Sequence, residues 1–156
     1  MKTKNYIREF LEKSGMKPPK DGATALPISV VIRNIVGEDF AKRYGVKEGI
    51  DLQNTVIEFY MKNEMITQTA ITALGMATEK ELVKIIQTSF KVNMLLTPLF
   101  RHVNLNLVDV KLGFSRAGKD IVLVDEVEVN LLNVEDGEKL KGTCQEVAKR
   151  LEKALT

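Results

Sequence analysis

Residues 105–117, LNLVDVKLGFSRA, set an acid, a base and a glycine at alternate positions: every second residue from Leu105 reads Leu105, Leu107, Asp109, Lys111, Gly113. Side chains two apart share one face of a strand, so this spacing predicts all five on one face. The following IVLVDEVEV (121–129) reads as a second strand and carries Asp125. A hairpin turning at SRAGKD would bring two carboxylates and a lysine together. Such a group can steer a ligand anion, or it can be an ion-pair network that supports the sheet and perturbs pKa values without catalysis. Arg33 stands at the end of the β-branched run ISVVIRN, where the residues alone leave a plain surface arginine open.

The remaining reactive residue types carry less. His102 is the sole histidine and Cys144 the sole cysteine. That excludes a histidine cluster, an internal disulfide and a cysteine-built zinc site. His102 falls just after a helix, where a capping or surface role fits. Cys144 lies on an apolar stripe with no base placed by sequence to activate it. No catalytic residue and no metal-ligating set is assigned.

The elements that must hold these residues follow from periodicity. Tyr6, Ile7, Phe10 and Leu11 share a helical face ahead of Gly15, which predicts a helix over 3–14. PPKDGATALP (18–27) reads as an exposed loop. VGEDFAKRYGVKEG predicts a short helix ending near Gly45, and NTVIEFYMKN a strand with Ile57, Phe59 and Met61 on one face. Thr78 followed by Glu81 is a capping box before a helix running to about Leu96, with Pro98 expected to kink or end it. Leu140, Cys144, Val147, Ala148 and Leu151 trace the stripe of a closing amphipathic helix. The order helix, strand, helix, strand, helix, two strands, helix predicts an α+β fold with a mainly antiparallel sheet flanked by helices, residues 1–156 forming one domain.

Composition agrees with a globular chain: 44% hydrophobic, 28% charged, net charge +2. None of the segments is purely basic, so nucleic acid is not an expected partner. The start, MKTKNYIREFLEK, interrupts any apolar stretch with Arg8, Glu9 and Glu12, unlike a secretory signal. No apolar run reaches the roughly 20 residues that span a bilayer. A cytoplasmic location without a membrane partner is the expectation.

Taken in order, VVIRN, AKRYGVKEG, VIEFYMKN, LGMATEKEL, KVNMLL, LVDVKLGF, VLVDE and EVAKRLEKAL resemble SAICAR synthetase, the ATP-dependent ligase of purine biosynthesis. The resemblance implies the fold of that family's carboxy-terminal lobe, without the amino-terminal β-rich lobe whose glycine-rich loop and lysine hold ATP phosphates. It also implies a ligand-binding set of Arg33, Asn34, Asp109, Lys111 and Asp125. Departures from the family pattern bear on that set. Where the family reads Ala-Gly-Ser after the Arg-Asn pair, this chain has Gly37, Glu38 and Asp39, and two carboxylates there oppose an anionic substrate. A family glutamate two residues after the lysine is Gly113 here, which removes one carboxylate expected beside magnesium. The family's Ser-Pro-Asp segment and following arginine have no counterpart, and EMITQTA replaces an acidic Asp-Pro stretch.

The resulting expectation is a diverged, non-catalytic protein that senses or sequesters a nucleotide or related phosphorylated small molecule, with its cofactor left open. The alternatives are a ligase completed by a partner chain, and a protein-interaction module. Apolar residues around MITQTAITALGM suggest a homo-oligomer. Arg33 and Lys111, on mixed-polarity strand faces, are expected to attract the ligand and to be replaceable without loss of the fold.

Overall fold

A computed structural model describes residues 2–18 and 21–155, with only the backbone described for 2–5 and 125. The chain runs α1 (Lys2–Lys13), β1 (Thr24–Ile35), α2 (Glu38–Tyr44), β2 (Asp51–Met61), β3 (Glu64–Ile66), α3 (Gln68–Ala73), α4 (Glu79–His102), β4 (Leu105–Ala117), β5 (Asp120–Asn133), β6 (Lys139–Lys141), α5 (Gln145–Leu155). Six strands form one sheet in the order β3-β2-β1-β4-β5-β6, every neighbouring pair antiparallel. The expected α+β class is thus met, with the short β3, α3 and β6 added to the predicted elements.

One face of the sheet carries the core. Helix α4 packs on β1, β4 and β5, while α1 packs on β5 and α5. Leu82, Ile85, Val92, Leu96, Leu99 and Phe100 of α4 are buried, at the three- and four-residue spacing that keeps them on one helical stripe. They meet Ile28, Val30 and Ile32 of β1 and Val110, Leu112 and Phe114 of β4 in one apolar cluster. Ile7 and Leu11 of α1 and Val147 and Leu151 of α5 complete it.

Local chemistry sets several boundaries. Thr78 and Glu81 close the capping box in both directions, the Thr78 hydroxyl accepting from the Glu81 amide at 3.1 Å and the Glu81 carboxylate from the Thr78 amide at 2.9 Å. Gly45 ends α2 in the left-handed conformation (φ 67°), where a Cβ would be strained. Gly118, also left-handed at φ 63°, sits in the two-residue turn between β4 and β5.

Three expectations need correction. The predicted loop over 18–27 ends early, because β1 starts at Thr24, paired with Arg116. A register shift between Ala25 and Ser29 takes up Pro27, which has no N–H to give a ladder. Pro98 neither ends α4 nor stops it short of His102; buried Leu99 and Phe100 anchor the turn beyond it. Leu140 belongs to β6 rather than to the last helix, although it still packs on the core.

The correction that matters most for the site concerns β4. Leu107 pairs with Leu131 and Asp109 with Asn130, so Val108 is an extra residue in the ladder. Such a bulge shifts the alternation by one. Leu105 and Leu107 therefore face the core together with Val110, Leu112 and Phe114, while Asp109 and Lys111 line a cavity on the other face. The five residues predicted to share a face are split between two.

Candidate functional site

The cavity, of about 670 Å³, lies on the face of the sheet away from α4. Its floor is made by β1, β4 and β5, with α2 on one side and β6 on the other. Arg33 enters it from β1 at 2% exposure. It is a buried group, unlike the strand-end surface residue that the sequence left as an alternative.

Every side of that guanidinium is occupied. Arg33 Nε donates to Glu58 Oε1 at 2.6 Å, Nη1 to Asp39 Oδ1 at 3.0 Å and Nη2 to Asp39 Oδ2 at 2.9 Å. Nη2 also donates to the Tyr60 hydroxyl at 3.1 Å, and Asp109 Oδ2 stands 3.6 Å from Nη1. Asp39 thus fills the fork in the two-pronged manner of a bound carboxylate. The Phe40 ring covers the guanidinium carbon at 5.7 Å, within cation–π range.

Glu58 is shared. Its other oxygen accepts from Arg43 Nη1 at 2.6 Å, and the Tyr60 hydroxyl donates to Oε1 at 2.7 Å while accepting from Arg43 Nη2 at 2.9 Å. Both arginines are held charged: burial opposes the charge, and the interactions with Asp39, Glu58 and Tyr60 on Arg33, and with Tyr44, Tyr60 and Glu58 on Arg43, outweigh it. Burial works against the Asp39 carboxylate as well, but the Arg33 bonds and charge keep its pKa below the ordinary value. Tyr60 is pushed up by burial and by its bond to Glu58. Asp109 is also raised, first by burial and then by the nearby Asp39 and Glu58 charges, against the pull of Asn130 and Arg33.

The predicted site residues do not all meet. Arg33, Asp109 and Lys111 line the cavity. Asn34 does not: adjacent strand residues point to opposite faces, and its amide exchanges two hydrogen bonds with Asn93 of α4, at 2.8 and 2.9 Å. Asp125 belongs to β5, between the Leu112–Val127 and Phe114–Leu123 pairs and so beside Gly113; its side chain is outside the described residues. Asp109 instead accepts from Asn130 across the strands, at 2.7 Å. The expectation that Arg33 can be replaced without loss of the fold also fails on geometry, since its removal would strip buried Glu58 of one of two cations.

Five participants were not among the predicted residues: Arg43, Glu58, Tyr60, Asn130 and Lys141. Glu58 and Tyr60 occupy the polar alternation of β2 between Ile57, Phe59 and Met61, a signal that was present. Lys141, on the short β6, carried none. Among the described residues no group of three His, Cys, Asp or Glu side chains is placed to hold a metal ion. Asp109 is committed to Asn130 and Arg33, and the side chain of Asp125, the other carboxylate that the resemblance places there, lies outside the described residues.

The family model for SAICAR synthetase matches residues 4–149. The phosphoribosylaminoimidazole-succinocarboxamide synthase of Bartonella tribocorum is 37% identical over 150 residues, covering 81% of this chain and 59% of that protein. The chain therefore spans less than two thirds of that relative's length. Among solved structures, the Ehrlichia chaffeensis phosphoribosylaminoimidazole-succinocarboxamide synthase superposes with a TM-score of 0.83 at 27% identity, over 98% of this chain and 78% of the other. A SAICAR synthetase (Type-2) in complex with ADP gives 0.82 at 25%, over 97% and 76%.

Proposed function

This chain belongs to the SAICAR synthetase family, and from that premise we propose that it is a diverged, non-catalytic member that binds a nucleotide or related phosphorylated small molecule in the cavity beside α2. The observation that carries this reading is Asp39 seated in the fork of Arg33. A substrate carboxylate or phosphate seeking that fork would have to displace a carboxylate tethered to the same chain, whose effective concentration is high. Glu38 and Glu48 stand on the same wall, each already paired with a lysine there, Lys42 and Lys139. Ligation through an activated phosphate depends on positioning and charge stabilisation, and Gly113 offers no carboxylate to assist. Binding a phosphorylated molecule is a smaller demand than ligation, since it needs no reacting atoms held in line.

The test is direct. Given ATP, Mg²⁺, aspartate and the carboxyaminoimidazole ribotide, the chain alone is expected to form no SAICAR. Enzyme-dependent product would overturn the non-catalytic reading. Product appearing only after a second polypeptide is added would favour the ligase completed by a partner chain. A homo-oligomer is proposed from the exposed Met65 and Leu74, and sedimentation analysis decides it.

A further inference from the structure

We propose that the outer face of α4 is a docking surface for an amphipathic helix with an acidic flank. The chief elements packed on α4 are β1, β4, β5 and α1, and its buried apolar residues turn to that core. On the opposite side Val83, Ile86, Phe90 and Met94 succeed one another at steps of three and four residues, the spacing that stacks side chains into one stripe. Met94 is 74% exposed, the most of any large apolar side chain among the described residues, and Val83 is 54% exposed. Ile86 and Phe90, between them, are half-buried and rest against the core.

Charge decides what such a stripe meets. Lys80, Lys84, Gln87 and Lys91 follow the same steps one row along the helix, and all four are exposed. Lys84 reaches Asp120 at 3.7 Å. Lys80 and Lys91 have no carboxylate within ion-pair distance among the described residues. A helix carrying acids beside its apolar residues would neutralise that row, as charges flanking an apolar seam do between paired helices. A second copy of this face cannot. The acids of α4 are Glu79 and Glu81, both in its first turn, and Glu81 is held by Arg116.

From Val83 to Met94 the stripe is about 17 Å long, or about three turns at 1.5 Å per residue, which offers a partner helix four anchor positions. Two helices meet by fitting ridges of side chains into grooves, so no cleft is required. Met94 suits such a contact, because its unbranched thioether adapts to the surface it meets. The core already fixes Ile86 and Phe90, and little side-chain freedom is lost there on docking. The cavity lies on the other face of the sheet, so this surface is independent of the phosphorylated-ligand reading.

Fluorescence anisotropy with the full chain and two labelled synthetic helices tests the assignment. Both peptides carry leucines at the four stripe positions; one has glutamates along the flank and the other lysines. Wild type is expected to bind the acidic helix, less tightly as salt rises, and to bind the basic helix roughly tenfold less well. Met94→Gln, at an exposed position, should weaken the acidic helix roughly tenfold, the scale of one apolar side chain returned to water. Lys91→Glu should weaken it several-fold and strengthen the basic helix, while Lys153→Gln, on the exposed end of α5, should change neither. Failure to bind the acidic helix, equal affinity for the two helices, or affinity untouched by Met94→Gln overturns the surface. A wild-type oligomer that Met94→Gln dissociates in sedimentation overturns it in favour of a second copy. Binding to phosphatidylserine vesicles without binding to the acidic helix overturns it in favour of a membrane.

Discussion

Asp39 and Arg33 are joined by two parallel hydrogen bonds, 3.0 and 2.9 Å long, with the arginine buried and the aspartate side chain 63% exposed. The fork meets a carboxylate that approaches from solvent, as a ligand would. Asp39→Ser should open it. The variant is expected to bind inorganic phosphate or succinate roughly tenfold more tightly than wild type, read by calorimetry. Its stability should fall by only about 1 kcal/mol, because one partner is mostly in water. Unchanged anion affinity would show that the clasp does not govern access to Arg33.

Glu58 is the reverse case, with both cations converging on a side chain that is 2% exposed. Glu58→Ala leaves Arg33 with an uncompensated donor in a dry setting. Breaking a buried pair from one side costs about 3–5 kcal/mol. Urea denaturation should show a loss of that size, with Glu58→Gln milder because its carbonyl still accepts one bond. A loss below about 1 kcal/mol for Glu58→Ala would show that the cluster does not support the fold.

Asp109 has a raised folded-state pKa, caused first by burial, so the folded chain holds its proton more readily than the unfolded one. Its ionisation therefore reduces stability as pH rises above the ordinary aspartate value of about 3.9. Asp109→Asn retains an oxygen for the Asn130 amide and removes the charge. The variant should melt at or above wild type at pH 7 and converge with it below about pH 4. A lower melting point at pH 7 would mean that the attraction to Arg33 outweighs burial.

Glu81 is held down to about 2, first by its bonds to Arg116 and also by the Thr78 amide. A depressed carboxylate contributes stability that is complete above its ordinary value of 4.5 and is lost as pH falls toward 2. Glu81→Gln keeps the capping-box pattern without the charge. Comparing the two proteins across that acid window, the stability difference should shrink as pH falls; a constant difference would remove the Arg116 pair as its cause.

Short-range signals in the chain determine much of the fold. The Thr78 capping box, the left-handed stop at Gly45, the turn at Gly118 and the apolar stripes of α1, α4 and α5 each rest on residues a few positions apart, so they act before any tertiary contact forms. Those signals were enough for the α+β class and the antiparallel hairpin. The site was decided by other forces. Which face a strand residue takes is a parity count, and Val108, inserted into the ladder opposite β5, reverses it between Leu107 and Asp109. Asn34 turns to Asn93 for the same reason of alternation. Asp39, Glu58 and Tyr60 reach Arg33 only because β2 pairs with β1 and α2 folds over the strand, and Lys141 joins Lys111 only because β6 closes the sheet edge. An ion pair's partner is chosen by the elements that bury it, which lie far apart in sequence, so the charges were legible and their pairing was not.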